Sequence, residues 1–131
     1  MKITIKEDSK SHQSLQGLAQ ACLDNYVLPM YKIIQRAANN DFTVLFASEG
    51  KKKTGFIAGY GQENKMHIWL FGVLPSKRGK GVGKELLKKF HSLASKKGYN
   101  AVNTITFNKY PQKIVLSVKS GYKITGTKFI P

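Results

Sequence analysis

The sequence predicts an α/β domain in which helices cover both faces of one mixed sheet. Its 131 residues suit a single domain, and 41% of them are hydrophobic, which supplies a core. The predicted element order is β-α-α-β-β-β-α-β-α-β, with hairpins in the first half and strand–helix–strand crossings in the second. Hairpins make neighbouring strands antiparallel, whereas helical crossings make them parallel, so the sheet should contain both pairings.

The first half reads as one strand, two helices and then three strands. Ser11 can cap a helix that runs to about Tyr26, and a second helix follows Pro29 with an apolar stripe. That stripe consists of Tyr31, Ile33, Ile34 and Ala37. Strands are expected, from alternating or continuous apolar residues, at 2–7, 42–48, 54–61 and 66–74.

The second half begins with the clearest helix, at residues 83–97, which ends before a capping glycine, Gly98. Its apolar residues recur at helical spacing and are Leu86, Leu87, Phe90, Leu93 and Ala94. A strand at 101–107, a helix from Pro111 to Gly121 and a strand at 122–129 complete the prediction.

Charge is the unusual feature of the composition, with a formal net charge of +15. Residues 65–131 hold fourteen basic residues and one acid, Glu85, so they carry +13 of it. Such a field attracts phosphates, whether on nucleic acid, an anionic surface or a phosphorylated cofactor. The one cysteine excludes an internal disulfide and a cysteine-based zinc site. We expect no membrane span, no secretory signal and a cytoplasmic location.

A glycine-rich turn with three cations joins the apolar strand 66–74 to the helix 83–97. Its glycines let the backbone come close to a ligand, and the following helix adds free amides and the positive end of its dipole. The turn therefore predicts a phosphate site. Its residues are Arg78, Gly79, Lys80, Gly81, Val82, Gly83 and Lys84.

Residue identities exclude two common phosphate loops. A Walker A loop needs glycine where Arg78 stands and Ser or Thr where Glu85 stands. A dinucleotide-binding loop starting at Gly79 needs glycine in place of Lys84, with an acid about twenty residues later, and no acid follows Glu85.

The turn instead resembles the signature of the GNAT superfamily of N-acetyltransferases. That signature is Arg or Gln, two residues, Gly, one residue, then Gly or Ala, after an apolar strand. Arg78, Gly81 and Gly83 match it, and Phe71 to Pro75 precede them at the family's spacing. The flanking elements fit over nearly the whole chain, so the resemblance implies the acyl-CoA N-acyltransferase fold and acetyl-CoA as cosubstrate.

The resemblance implies a coenzyme A site in two parts. The amides of Arg78 to Lys84 would bind the pyrophosphate. The pantetheine would lie along Phe71, Gly72 and Val73, where the fourth strand parts from the fifth at a bulge, with Gly72 suited to that bulge. The amide of Phe71 would stabilise the oxyanion. Asn108 would contact the pantetheine, or cap the next helix.

The resemblance also implies a base that removes a proton from an acceptor amine. His67 stands where many members carry a glutamate. A strand histidine with a structural hydrogen bond is an equally good interpretation, and Glu63 is the alternative base. Ser117 stands at the position of the family's acidic tyrosine, so Tyr110 is the substitute candidate for general acid.

The sequence leaves the acceptor open, as either a small molecule or a protein. Asp24, Tyr26, Tyr31 and Arg36 lie in the region that forms the acceptor wall in this family. The basic charge favours an acidic acceptor, or only tight coenzyme A binding. Two other functions are considered: a basic nucleic-acid-binding module, and a GNAT fold that binds coenzyme A without catalysis. We further expect either another strand after Pro131 or a partner chain, such as a second copy, over the exposed edge.

Overall fold

Five strands form one mixed sheet in the described part of the computed structural model, which comprises residues 2–23 and 27–104. The strands are β1 (Thr4–Glu7), β2 (Thr43–Glu49), β3 (Lys52–Gln62), β4 (Lys65–Val73) and β5 (Ala101–Thr104). Their order in space follows the chain, with antiparallel pairing from β1 to β4 and parallel pairing between β4 and β5. The predicted mixed sheet is confirmed. The predicted helix from Pro111 and the last strand lie outside the described residues.

Helices cover both faces of this sheet, as predicted. Within residues 2–23 and 27–104 they are α1 (His12–Cys22), α2 (Met30–Ala37) and α3 (Val82–Lys96), and a 3-10 turn spans Pro75–Lys77. The core under α3 is built by Leu45, Ile57, Met66, Ile68, Phe71, Leu86, Leu87 and Phe90. The core under α1 and α2 is built by Leu15, Leu18, Leu28, Ile33, Val44, Phe46 and Phe56. The side chains of β4 contribute to both layers, since Trp69 and Leu70 pack against this second core.

Four predicted boundaries or faces were wrong. Strand β1 starts two residues later than predicted, at Thr4. Helix α1 ends at Cys22 rather than near Tyr26, because Leu23 already has non-helical angles of φ −118° and ψ 53°. In α2 only Ile33 is buried, while Tyr31 and Ile34 are 63% and 58% exposed. An eight-residue helix meets the layer below along a narrow line, so neighbouring apolar positions turn outward. Strand β3 starts two residues earlier than predicted, at Lys52.

Candidate functional site

The glycine turn leaves the end of β4 through the 3-10 turn and enters α3. Gly79 and Gly81 have φ of +77° and +87°, in the left-handed region that favours glycine. A Cβ at either position would meet nothing within 4 Å. These two glycines are therefore required by backbone conformation, and the space around them is open.

The first turn of α3 presents amides that the helix itself does not use. The first intrahelical bond runs from the Glu85 amide to the Gly81 carbonyl at 3.0 Å, so the amides of Val82, Gly83 and Lys84 precede the ladder. No side chain in the described ranges caps this end. Lys80 and Lys84 are exposed beside it. Free amides, a helix dipole and two cations make this turn suited to an anion.

Arg78, the first cation of the turn, holds two main-chain carbonyls. Its Nε donates to the Val73 carbonyl at 3.2 Å, and its Nη2 donates to the Cys22 carbonyl at 2.7 Å. The guanidinium thus joins the last residue of β4 to the last residue of α1. Burial raises the pKa of the Cys22 thiol to about 11, partly offset by the Arg78 charge.

The bulge of β4 lies at Trp69, so its predicted place at Gly72 was wrong. Gly59 of β3 pairs with Ile68 and Ala58 pairs with Leu70, which leaves Trp69 as the extra residue. Gly72 stays in register, opposite Phe56. It is glycine for a packing reason, since a Cβ there would lie 2.7 Å from the Cys22 Cβ. Close approach of α1, rather than a bulge, explains this glycine.

The bulge turns consecutive side chains to one face of the sheet. Ile68 and Phe71 pack in the core under α3, whereas Trp69 and Leu70 both pack against the core under α1 and α2. Trp69 remains half-buried. A large aromatic surface is therefore offered beside the first two helices.

His67 lies between two neighbouring strands at the other end of β4. It is opposite Tyr60 on β3, with ring centroids 5.4 Å apart, and in register with Asn103 on β5. Its Nδ1 is 2.8 Å from Oδ1 of Asn103. Because that oxygen can only accept, Nδ1 carries the hydrogen, which makes Nε2 the nitrogen at which the ring can accept a proton.

Of the remaining predicted residues, the structure describes Glu63 and Arg36 but not the other five. Glu63 lies in the β3–β4 turn with φ +58° and is exposed. Arg36 of α2 places its guanidinium carbon 5.7 Å from the Trp69 ring centroid. Asp24, Tyr26, Asn108, Tyr110 and Ser117 lie outside the described residues.

Sequence reasoning missed Asn103 and Trp69. The parallel pairing of β4 with β5 follows from the crossing helix, but its register does not, and only the register brings Asn103 to His67. A lone tryptophan in an apolar strand gives no sign that a bulge lies at that residue.

Residues 8–130 match the family model "Acetyltransferase (GNAT) domain". A relative from Shouchella clausii (strain KSM-K16), named L-2,4-diaminobutyric acid acetyltransferase, is 36% identical over 62 residues. That match covers 45% of this chain and 35% of the relative, so the chain matches about a third of the relative's length.

Solved structures share the fold over nearly the full chain. Ard1 from Thermoplasma volcanium superimposes with a TM-score of 0.81 at 25% identity, covering 96% of this chain and 86% of that one. The aminoglycoside N-acetyltransferase AAC(6')-Iy, bound to a bisubstrate analogue of coenzyme A and acetylneamine, gives 0.82 at 16% identity, covering 100% and 97%.

The chain therefore belongs to the GNAT acetyltransferase family. Members of this family use acetyl-CoA, and AAC(6')-Iy was also solved with coenzyme A. Within residues 2–23 and 27–104, no helix is long and apolar enough to cross a membrane.

Proposed function

We propose that this protein transfers the acetyl group of acetyl-CoA to a primary amine by direct attack within a ternary complex. The observation that carries the proposal is the left-handed glycine turn at the end of β4, which opens onto three unused amides of α3. The pyrophosphate of coenzyme A would accept from the Val82, Gly83 and Lys84 amides. Lys80 and Lys84 would supply charge at the same turn, while the Arg78 guanidinium fixes where the turn begins.

The pantetheine arm of acetyl-CoA would extend from this turn along β4 towards His67. Six residues separate Val73 from His67, which is on the order of 20 Å in an extended strand. A long, flexible carrier arm fits such a path better than a compact nucleotide does. Phe71 to Val73 would line the arm, and the Phe71 amide is the candidate donor to the oxyanion.

His67 would act as general base on the acceptor. At pH 7, on the order of one molecule in a thousand of an alkylamine with a pKa of about 10.4 is neutral. Nε2 of His67 would take a proton from the ammonium, directly or through water. The amine nitrogen then attacks the thioester carbonyl, the C–S bond breaks to leave the thiolate, and the nitrogen gives up its remaining extra proton to that thiolate or to water as the amide forms. Asn103 would hold the imidazole in the required tautomer. Tyr110 and Asn108 stay predictions for the acid and for a pantetheine contact.

The acceptor is proposed as a small molecule with a primary amine. The Shouchella relative acts, by its name, on an amino acid with a second amine, and AAC(6')-Iy on an aminoglycoside. An aminoglycoside site needs several carboxylates, but this chain has seven acids in all. Of these, Asp8, Asp41 and Glu49 already bond to neighbouring side chains. An amino-acid-like amine is the better fit.

Calorimetric titration with acetyl-CoA tests the cosubstrate site, and Gly98 offers a matched control. Gly81 and Gly98 flank the two ends of α3 with φ of +87° and +89°, and both have open space for a Cβ. Gly81→Ala and Gly98→Ala should therefore cost similar folding stability. Only Gly81→Ala should weaken acetyl-CoA binding, by about tenfold or more. Equal loss of binding in both variants, or no binding by the wild type, would refute the site.

Catalysis is tested separately by thiol release from acetyl-CoA with a panel of amines that includes L-2,4-diaminobutyrate. We expect His67→Gln to lower kcat about 100-fold, with little change in the KM for acetyl-CoA. Asn103→Ala should lower kcat by a smaller factor, since it disturbs only the ring's orientation. If the protein binds acetyl-CoA but no amine releases thiol, a fold that binds coenzyme A without catalysis is the correct description.

A further inference from the structure

We propose that Arg36, in cation–π contact with Trp69, binds a carboxylate of the acceptor, so that the acceptors are amines that also carry an acidic group. This inference rests on the proposed function and concerns its substrate class. The starting observation is that Arg36 forms no ion pair within the described residues. Arg36 lies next to the ring of Trp69, which packs on the face of β4 under α1 and α2.

The position of Arg36 follows from the packing of α2. Ile33 is fully buried under this helix, and Arg36 comes three positions later, on the same side of the helix. Its guanidinium carbon lies 5.7 Å from the centre of the Trp69 ring, within the range of a cation–π contact. Trp69 faces this layer together with Leu70, since both pack against the core under α1 and α2. The packing of α2 and of β4 therefore sets the positions of the Arg36 guanidinium and the Trp69 ring.

The guanidinium is only partly satisfied by this contact. Its Nε is shielded from solvent and has no hydrogen-bond partner, and no acid in the described ranges forms an ion pair with Arg36. A shielded N–H without an acceptor is unfavourable, and a charged one more so. The side chain as a whole is half-buried rather than enclosed, so a ligand can reach it. An incoming anion would contact the exposed part of the guanidinium and offset a charge that has no ion-pair partner in the described ranges.

A carboxylate is the anion that fits this cation best. Arginine presents a planar fork of donors that matches two carboxylate oxygens. A second amine at this place would meet a like charge instead.

The distance to the proposed base suits a short molecule. Trp69 follows His67 by two positions on the same face of β4, on the order of 6–7 Å in a strand. An amine near His67 and a carboxylate at Arg36 would then be separated by a few carbon atoms. Short amino acids with a terminal amine have this form.

Matched pairs of acceptors test the inference. 4-Aminobutyrate and 5-aminopentanoate are compared with propylamine and butylamine, which differ from them only by the missing carboxylate. We expect kcat/KM to be about 10- to 100-fold higher for the acids, as for a charge-assisted hydrogen-bonded pair. Arg36→Gln should bring this ratio close to one, and Arg36→Lys should restore part of it. Lys32→Gln, which removes an exposed charge from the same helix, should leave the ratio unchanged.

The outcomes separate this inference from the proposed function. Thiol release with equal kcat/KM for acids and amines would refute the inference alone, as would a ratio that survives Arg36→Gln. If no amine releases thiol, the proposed function fails. The carboxylate site at Arg36 is then tested by calorimetric titration of the same matched acids and amines into the protein–coenzyme A complex. Tighter binding of the acids to the wild type than to Arg36→Gln supports the carboxylate site, and equal binding refutes it.

Discussion

Substituting Gly72 by alanine should separate α1 from β4. The added Cβ would lie 2.7 Å from the Cys22 Cβ, 3.1 Å from a ring carbon of Phe56 and 3.4 Å from Leu23 Cδ2. The Cys22 Cβ is attached directly to the helix backbone, so no rotamer change can move it away. Carbon atoms pack at about 3.5–4.0 Å, so the end of α1 has to move by roughly 1 Å.

The expected cost has two parts. Overpacking a filled core costs about 1–3 kcal/mol. A shift of about 1 Å would also lengthen the bond of 2.7 Å between Arg78 Nη2 and the Cys22 carbonyl beyond hydrogen-bonding range, which adds roughly 1 kcal/mol. We therefore expect Gly72→Ala to lower the free energy of unfolding by about 2–4 kcal/mol, equivalent to a fall in Tm of roughly 8–15 °C.

Urea unfolding followed by the fluorescence of Trp69, the one tryptophan, measures this cost. Gly17→Ala is the matched control, because Gly17 lies in α1 with nothing within 4 Å of its Cβ position. That change should raise stability by about 0.5–1 kcal/mol. The loss of unfolding free energy caused by Gly72→Ala should be smaller by at least about 1 kcal/mol in a Cys22→Gly background than in the wild type, because that background lacks the opposing Cβ. A Gly72→Ala protein as stable as the wild type would refute the proposed contact.

Three further predictions concern other parts of the fold. Gly59→Ala would push a Cβ against the His67 carbonyl and the Phe90 ring, and should lower the free energy of unfolding by about 2 kcal/mol or more in urea; an unchanged midpoint would contradict this. The Tyr99 hydroxyl donates to Asp41, which raises the pKa of Tyr99. Because the protonated form is stabilised, wild type should exceed Tyr99→Phe in stability below about pH 10, and the difference should vanish as the pH rises through the higher folded pKa; a constant difference at all pH values would contradict it. With a pKa of about 11, Cys22 should resist alkylation at about pH 8 until the chain unfolds, and labelling of the native protein would refute its burial.

The amino-acid sequence carried enough information to predict the layers of the fold and the position of the glycine turn. Apolar spacing identified α3, because its core residues recur on one helical face, and glycines at 79 and 81 indicated a turn that favours left-handed residues. Both signals are local, so they can be found without knowing which strands pair. The identity of the turn residues also excluded two nucleotide loops, because Arg78 and Lys84 stand where those loops need glycine.

What the sequence could not provide depends on contacts between distant segments. The bulge at Trp69 is a mismatch between β3 and β4, and the partner of His67 is set by the register of β4 on β5. Gly72 illustrates the same limit, since a strand glycine marks a close approach without telling whether a ligand, a bulge or a helix comes near. Here it was α1.

The Arg78 guanidinium has a mechanical consequence for the fold. One planar group bonds to carbonyls of two distant segments, in Cys22 and Val73, while its own backbone begins the glycine turn. The end of α1, the end of β4 and the glycine turn thus share a single anchor. Under the proposed function, a rotation of this side chain would disturb the coenzyme A turn and the first helix together, so the two sides of the proposed cleft are coupled.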